Sequence, residues 1–360
     1  MTPKQRGIFK SIGVTLGDFP DDIDLDDSKS PKLKMTLTQD AAGFSNPINM
    51  QDTRACFEAW CLIIKAKTNK SKLEIELDVK DIKEADYDGK LPKNGHWGRF
   101  LYRILKFSEQ YNWFELSSTL GKIKDKFQNY LDSHTFVTSA PDKKPKEDIA
   151  NSNLESYVEY LFCDSISAQK DILNLLSVTT IDRQLPVSLF EGFKSNTTGV
   201  FTGGKSAIDF WAVNGDTINV YELKSKKPML GIITESFFYS NYVYDVFISK
   251  NLNHGKGSVA HEAVAYRNYD KIQAARVKGI MISNYCAATL LAILAGTKYD
   301  IGWHRLLNSA TRDEIKKVMN NNGTNGKIQY DFVSYILKEL TTNAPKIYYI
   351  EKQFLKVCRC

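Results

Sequence analysis

Cysteine is scarce and unpatterned: six occur in 360 residues, at Cys56, Cys61, Cys163, Cys286, Cys358 and Cys360. No two form a C-x-x-C pair, which argues against a disulfide scaffold or a zinc ribbon, and four lie in apolar surroundings as reduced core thiols do. Histidine is scarcer still, with five. His261-Glu262 begins like a zinc-protease helix, but Ala265 stands where the second histidine is needed. His96, His134, His254 and His304 are too scattered for a metal cluster or a Ser-His-Asp arrangement. Long apolar runs are missing too. The stretch from Cys286 to Gly296 is far too short to span a bilayer. Met1-Thr2-Pro3-Lys4-Gln5-Arg6 lacks the apolar core of a signal peptide. These absences predict a soluble, cytoplasmic protein without a membrane partner.

Charge of one sign is not dominant either. Forty-eight basic against 42 acidic residues leave +6, mostly after residue 140, and this alone does not announce nucleic acid. With 42% hydrophobic and 25% charged residues the composition is that of an ordinary globular protein. The length suggests two domains.

The first 35 residues hold an acidic cluster, Asp18, Asp21, Asp22, Asp24, Asp26 and Asp27, without clear periodicity, and read as an irregular arm. Residues 52–66 place Ala55, Ala59, Leu62, Ile63 and Ala66 on a helical stripe, and 73–79 alternate like a half-buried strand. Helical spacings recur over 97–116 and 119–131. Residues 1–137 therefore read as a smaller α+β domain, a candidate surface for DNA recognition, a partner protein or a homodimer. Residues 138–152 (TSAPDKKPKEDIANS) read as a linker. From 153 to 360 the order is a helix over 153–163, strands near 181–190, 206–213 and 217–224, an aromatic helix at 230–247 and a buried strand at 276–283. A helix at 287–295, another near 329–340 and a strand near 346–356 follow, with a glycine-marked loop at 251–260.

The chemistry concentrates in Ser206-Ala207-Ile208-Asp209-Phe210-Trp211-Ala212-Val213-Asn214-Gly215-Asp216-Thr217-Ile218-Asn219-Val220-Tyr221-Glu222-Leu223-Lys224. Asn-Gly is a strong hairpin signal. A two-residue turn there pairs Val213 with Asp216 and sets Glu222 diagonal to Asp209; a four-residue loop sets the two directly opposite. Either keeps Asp209, Glu222 and Lys224 on one face, because side chains alternate with a period of two. Two carboxylates beside a lysine suit a hard divalent cation such as Mg²⁺ or Mn²⁺, and that equipment serves phosphodiester hydrolysis.

This stretch resembles the PD-(D/E)xK, or restriction-endonuclease-like, nuclease superfamily over about 150–285. Asp209 stands as the first acid and Glu222-Leu223-Lys224 as the Glu-x-Lys half; Ile208 replaces the proline of the pattern's name. The resemblance implies an α/β fold with an αβββαβ core, a mixed sheet flanked by helices. It also implies a Mg²⁺-dependent deoxyribonuclease, with prokaryotic restriction or anti-phage defence as its expected setting. Its site would be Glu155, with Glu159 as rival, together with Asp209, Glu222 and Lys224. The Leu223 carbonyl would be a metal ligand, and Glu235 and Tyr239 would stand near the site. Lys205, Lys226 and Lys227 would contact DNA phosphates. The rival reading is a catalytically inactive DNA-binding or assembly subunit of the same fold.

Two further signals compete. Gly199-Val200-Phe201-Thr202-Gly203-Gly204-Lys205-Ser206 matches a P-loop letter for letter. Such a loop must open a helix, whereas Ala207 to Val213 alternate like a strand. Phe237, Phe238, Tyr239, Tyr242, Tyr244 and Phe247 could stack on bases, but aromatics at helical spacing are more often core. Trp211 shares the face of Asp209 and is a candidate to line the cleft.

Overall fold

The computed structural model describes residues 1–29, 31–138, 159, 163, 178, 181–201, 207–224, 229–252, 273–286, 306–339 and 348–350. The acidic N-terminal stretch is structured rather than an arm. Helix α1 (Pro3–Ser11) starts at a reciprocal Thr2/Gln5 capping box with proline in its first turn. Strand β1 (Asp24–Asp26) buries Leu25 between two exposed aspartates and pairs antiparallel with β2 (Lys32–Leu37). Two of the acids that blur the periodicity, Asp24 and Asp26, are the solvent side of a short edge strand.

Helix α2 (Phe57–Lys67), β3 (Glu74–Val79), α3 (Gly95–Gln110), β4 (Phe114–Leu116) and α4 (Ser118–Ser133) follow. Strands β2, β3 and β4 run parallel and alternate with α2 and α3, in a four-stranded sheet ordered β1-β2-β3-β4. β4 ends what the sequence pattern reads as one helical stretch. A two-stranded ribbon joins β5 (Phe136–Val137) to β7 (Phe190–Glu191).

The second sheet has six strands: β6 (Asp182–Pro186), β8 (Ala207–Asn214), β9 (Thr217–Lys224), β10 (Arg276–Cys286), β11 (Ile328–Glu339) and β12 (Tyr348–Ile350). Their order is β12-β11-β10-β9-β8-β6. β8 is antiparallel to both β6 and β9, β10 is parallel to β9 and to β11, and β12 closes the edge antiparallel. The helix expected near 329–340 is instead β11, whose run IQYDFVSYILKE is rich in the β-branched and aromatic residues that a central strand favours. A helix does occur just before it. α6 (Ser309–Asn320) is capped by the Asn308 side chain, which accepts from the Thr311 N–H.

Helix α5 (Ile232–Val243), continued by a π-type turn at Tyr244–Ile248, is buried along its whole length. One side lies on β9, β10 and β11, and the other meets α2 and α3. Gly279 permits the close approach on β10, since a Cβ there would collide with the Ser236 and Ser240 hydroxyls and the Tyr330 ring. The aromatic set is core: Phe237 contacts Phe107 and Tyr330, and Phe238 contacts Tyr102 and Phe201. One continuous apolar core thus joins residues from both sides of the expected linker, of which only Thr138 is described. Cys56, Cys61 and Cys163 are buried free thiols. Among the described residues no helix is long and apolar enough to cross a membrane. The 251–260 loop beyond Leu252, the 287–295 helix and His261-Glu262 lie outside the described residues.

Candidate functional site at the fork of two strands

The hairpin settles which even-length register is used. Asn214 pairs with Thr217, Val213 with Ile218 and Phe210 with Tyr221. The turn is therefore Gly215-Asp216, not Asn214-Gly215, and Gly215 takes a φ of +58° that suits glycine at the first turn position. Continuing that register sets Asp209 directly opposite Glu222.

The ladder between β8 and β9 ends at Phe210 and Tyr221. Beyond it, Ala207 and Ile208 remain paired with β6, while Glu222, Leu223 and Lys224 remain paired with Met281, Ile282 and Ser283 of β10. The two strands fork, and Asp209 reaches across the opening to accept the Leu223 N–H through Oδ2 at 2.7 Å. In a strand the N–H and C=O of one residue address the same neighbour. The Leu223 carbonyl is thus turned toward the Asp209 side.

Glu222 and Lys224 lie on the other prong, both buried. Lys224 Nζ donates to Glu222 Oε1 at 2.7 Å and stands 2.9 Å from Glu235 Oε2 on α5. Burial pushes the Glu222 carboxyl well above its ordinary value, and repulsion by Asp209 and Glu235 adds to this against the pull of Lys224. Its Oε2 is buried and has no hydrogen-bond partner among the described residues. Burial likewise raises Tyr239, with Glu235, Glu222 and Asp209 adding to the shift, so its hydroxyl stays protonated. Trp211 is buried on the same strand face as Asp209, with its indole N–H unpartnered among the described residues.

Asp209, Glu222, Leu223, Lys224, Glu235 and Tyr239 are therefore gathered in one place. Glu155, Lys205, Lys226 and Lys227 lie outside the described residues. Glu159 is helical and buried, and accepts from Gln184 Nε2 at 2.8 Å. Gln184 stands at the β6 position in register with Asp209, so Glu159 approaches the fork from the β6 side. Ala207 opens β8 directly after Ser206, so the P-loop letters lack the helix that phosphate binding by such a loop requires.

Two contributors come from the first 137 residues and carry no motif. Gln51 hydrogen-bonds Glu235 Oε1 through Nε2. Arg99 of α3 is buried, and its charge acts on Tyr239 and Glu235. Arg99, Arg103, Lys106 and Gln110 fall on one polar stripe of the amphipathic α3, which the pattern alone reads as a wet face, so neither Arg99 nor Gln51 carries a sequence signal for the site.

The donor chemistry suits a hard cation, since the oxygens of Asp209 and Glu222 face one fork and Glu222 Oε2 is orphaned. Among the described residues no group of three or more His, Cys, Asp or Glu is arranged to hold a metal. Compared with family models, curated proteins and solved structures, the chain matches none.

Proposed function

We propose that this chain is a metal-dependent endonuclease that hydrolyses phosphodiester bonds in DNA, with restriction or anti-phage defence as its setting. The observation that carries this reading is the buried Lys224, ion-paired to Glu222 and Glu235 in a strand fork whose other prong bears Asp209. Three acids around one ammonium leave an excess of negative charge that a hydrolytic site fills with a cation. The β-β-β-α-β order of β6, β8, β9, α5 and β10, with β10 parallel to β9, is the arrangement the restriction-endonuclease-like resemblance implies.

Asp209 and Glu222, with the Leu223 carbonyl, are the groups that would hold Mg²⁺ or Mn²⁺. When bound, such an ion supplies an acidified water and neutralises phosphate charge. Lys224 sets its ammonium in the fork, where it would offset charge growing on a phosphoryl group. Tyr239 offers a protonated hydroxyl. Glu159, or Glu155, would be the acid of the preceding helix, and Lys205, Lys226 and Lys227 would follow the DNA backbone.

The test is plasmid cleavage with Mg²⁺ by the wild-type chain, Asp209→Ala and Lys224→Ala. Each substitution is expected to lower the rate by about 10²-fold or more, the usual scale for loss of a charge-stabilising group. Equal cleavage by all three would remove the assignment. DNA binding without cleavage by any of them would favour the non-catalytic subunit.

A further inference from the structure

Arg99 carries a buried charge that no ion pair takes up among the described residues. Its side chain is 7% exposed, its Nε has no hydrogen-bond partner, and no carboxylate among the described residues forms an ion pair with it. Among the described residues its one hydrogen bond is from Nη2 to His96 Nδ1, at 3.4 Å. A buried guanidinium without an acid is costly, and burial pulls its pKa down to about 10. Its neighbour Arg103 differs in this respect: Glu58 receives Arg103 Nε at 2.6 Å.

Arg99 lines a recess between α3 and the 41–50 segment. His96, Arg99 and Arg103 share this recess with Phe100 and small or apolar residues; Glu58 neutralises Arg103, which leaves Arg99 as the lining cation without an ion pair among the described residues. Its enclosed part is about 10 Å³, close to the space one water oxygen needs. Burial and the adjacent guanidinium both hold His96 below its ordinary value, which favours the uncharged ring beside Arg99. An electropositive recess sized for one oxygen atom fits a terminal oxygen of an oxyanion whose bulk stays at the mouth.

We infer that this recess is a phosphate subsite, in which the Arg99 guanidinium donates to one non-bridging oxygen of a nucleic-acid backbone phosphate beside the strand fork. The nuclease proposal is needed only to identify the anion; the recess itself is described by its own residues. Arg99 projects from the first half of the chain, so that half binds substrate as well as supporting the fold. A planar, fixed donor array suits phosphate, and a lysine at this place keeps the charge but loses the fork of donors.

The test uses the full-length chain without divalent metal. Sodium phosphate is titrated calorimetrically at constant ionic strength into wild type, Arg99→Lys and Arg99→Met, with sodium acetate as the control anion. Phosphate affinity should fall at least tenfold in Arg99→Met, with Arg99→Lys between. In a parallel arm, the dependence of log K on log salt for a duplex DNA should flatten by about one phosphate contact in Arg99→Met. If Arg99→Met does not fold, the Arg99 Nε–H resonance of the wild type, assigned by its loss in Arg99→Lys, should move on adding phosphate. Unchanged phosphate affinity in a folded Arg99→Met, an unmoved Nε–H resonance, or equal response to acetate would overturn the inference. Phosphate binding that depends on Arg99 in a chain that cleaves no DNA would sink the nuclease proposal alone. Cleavage with phosphate binding indifferent to Arg99 would sink only the subsite.

Discussion

Glu222 is buried beside two other carboxylates, and one ammonium cannot balance all three. Its carboxyl therefore keeps its proton to a higher pH in the folded chain than in the unfolded chain, where the ordinary value is 4.5. Wherever the folded state binds more protons, stability falls as pH rises. Metal-free protein should accordingly lose stability from about pH 4.5 upward until Glu222 ionises in the folded state. Glu222→Gln keeps the shape and abolishes the release, so its unfolding free energy should lack that slope; urea titrations from pH 4 to 8, compared at each pH, measure it. A cation takes the place of the proton, so Mg²⁺ should raise Tm more at pH 8 than at pH 5 in wild type and at neither pH in Glu222→Gln. Parallel pH profiles for the two proteins would show that Glu222 is not the proton holder.

At the scale of elements, the site depends on where α5 stands, and a loop from far upstream fixes its first turn. Gly231 caps α5 against the 49–54 loop, and a Cβ at 231 would collide with the Gln51 backbone. Gly231→Ala should force that loop away, costing about 1–3 kcal/mol as overpacking does and parting Gln51 from Glu235. The expected readout is a lower Tm together with a greater loss of cleavage than of DNA binding; an unchanged Tm would contradict the packing.

Much of this element was legible and part was not. β8, β9, their shared face and the burial of the α5 aromatics follow from alternation, the turn glycine and helical spacing. The exact register did not, because Asn-Gly and Gly-Asp turns are both even and only the fold chooses between them. β11 was misread as a helix because a short apolar run has no period of its own. β1 was hidden by Asp24 and Asp26 on its wet side. Gln51 and Arg99 were illegible as site residues because only tertiary packing brings them to α5.

At the scale of the whole molecule, the buried polar contacts between the two halves matter more than the chain break suggested by residues 138–152. Glu58 of α2 receives Arg103 of α3 and the Thr234 hydroxyl of α5, the last at 3.0 Å. Asp245, in the turn that continues α5, receives the Tyr102 hydroxyl at 2.7 Å and stands 2.8 Å from Lys106 Nζ. Gln110 reaches Asn241. Removing residues 1–152 would leave Asn241, Asp245 and Glu235 without these partners and expose Phe238 and its neighbours to water. Unpaired buried groups cost about 1–3 kcal/mol each, and a typical domain has only about 5–15 kcal/mol of net stability. A fragment of residues 153–360 should therefore lack a cooperative thermal transition and bind a hydrophobic dye, while co-expression with residues 1–152 should restore the transition. A fragment that melts cooperatively within a few degrees of the full chain would mean that the second half carries its own core. The first half would then be an accessory that leans on α5 without holding it.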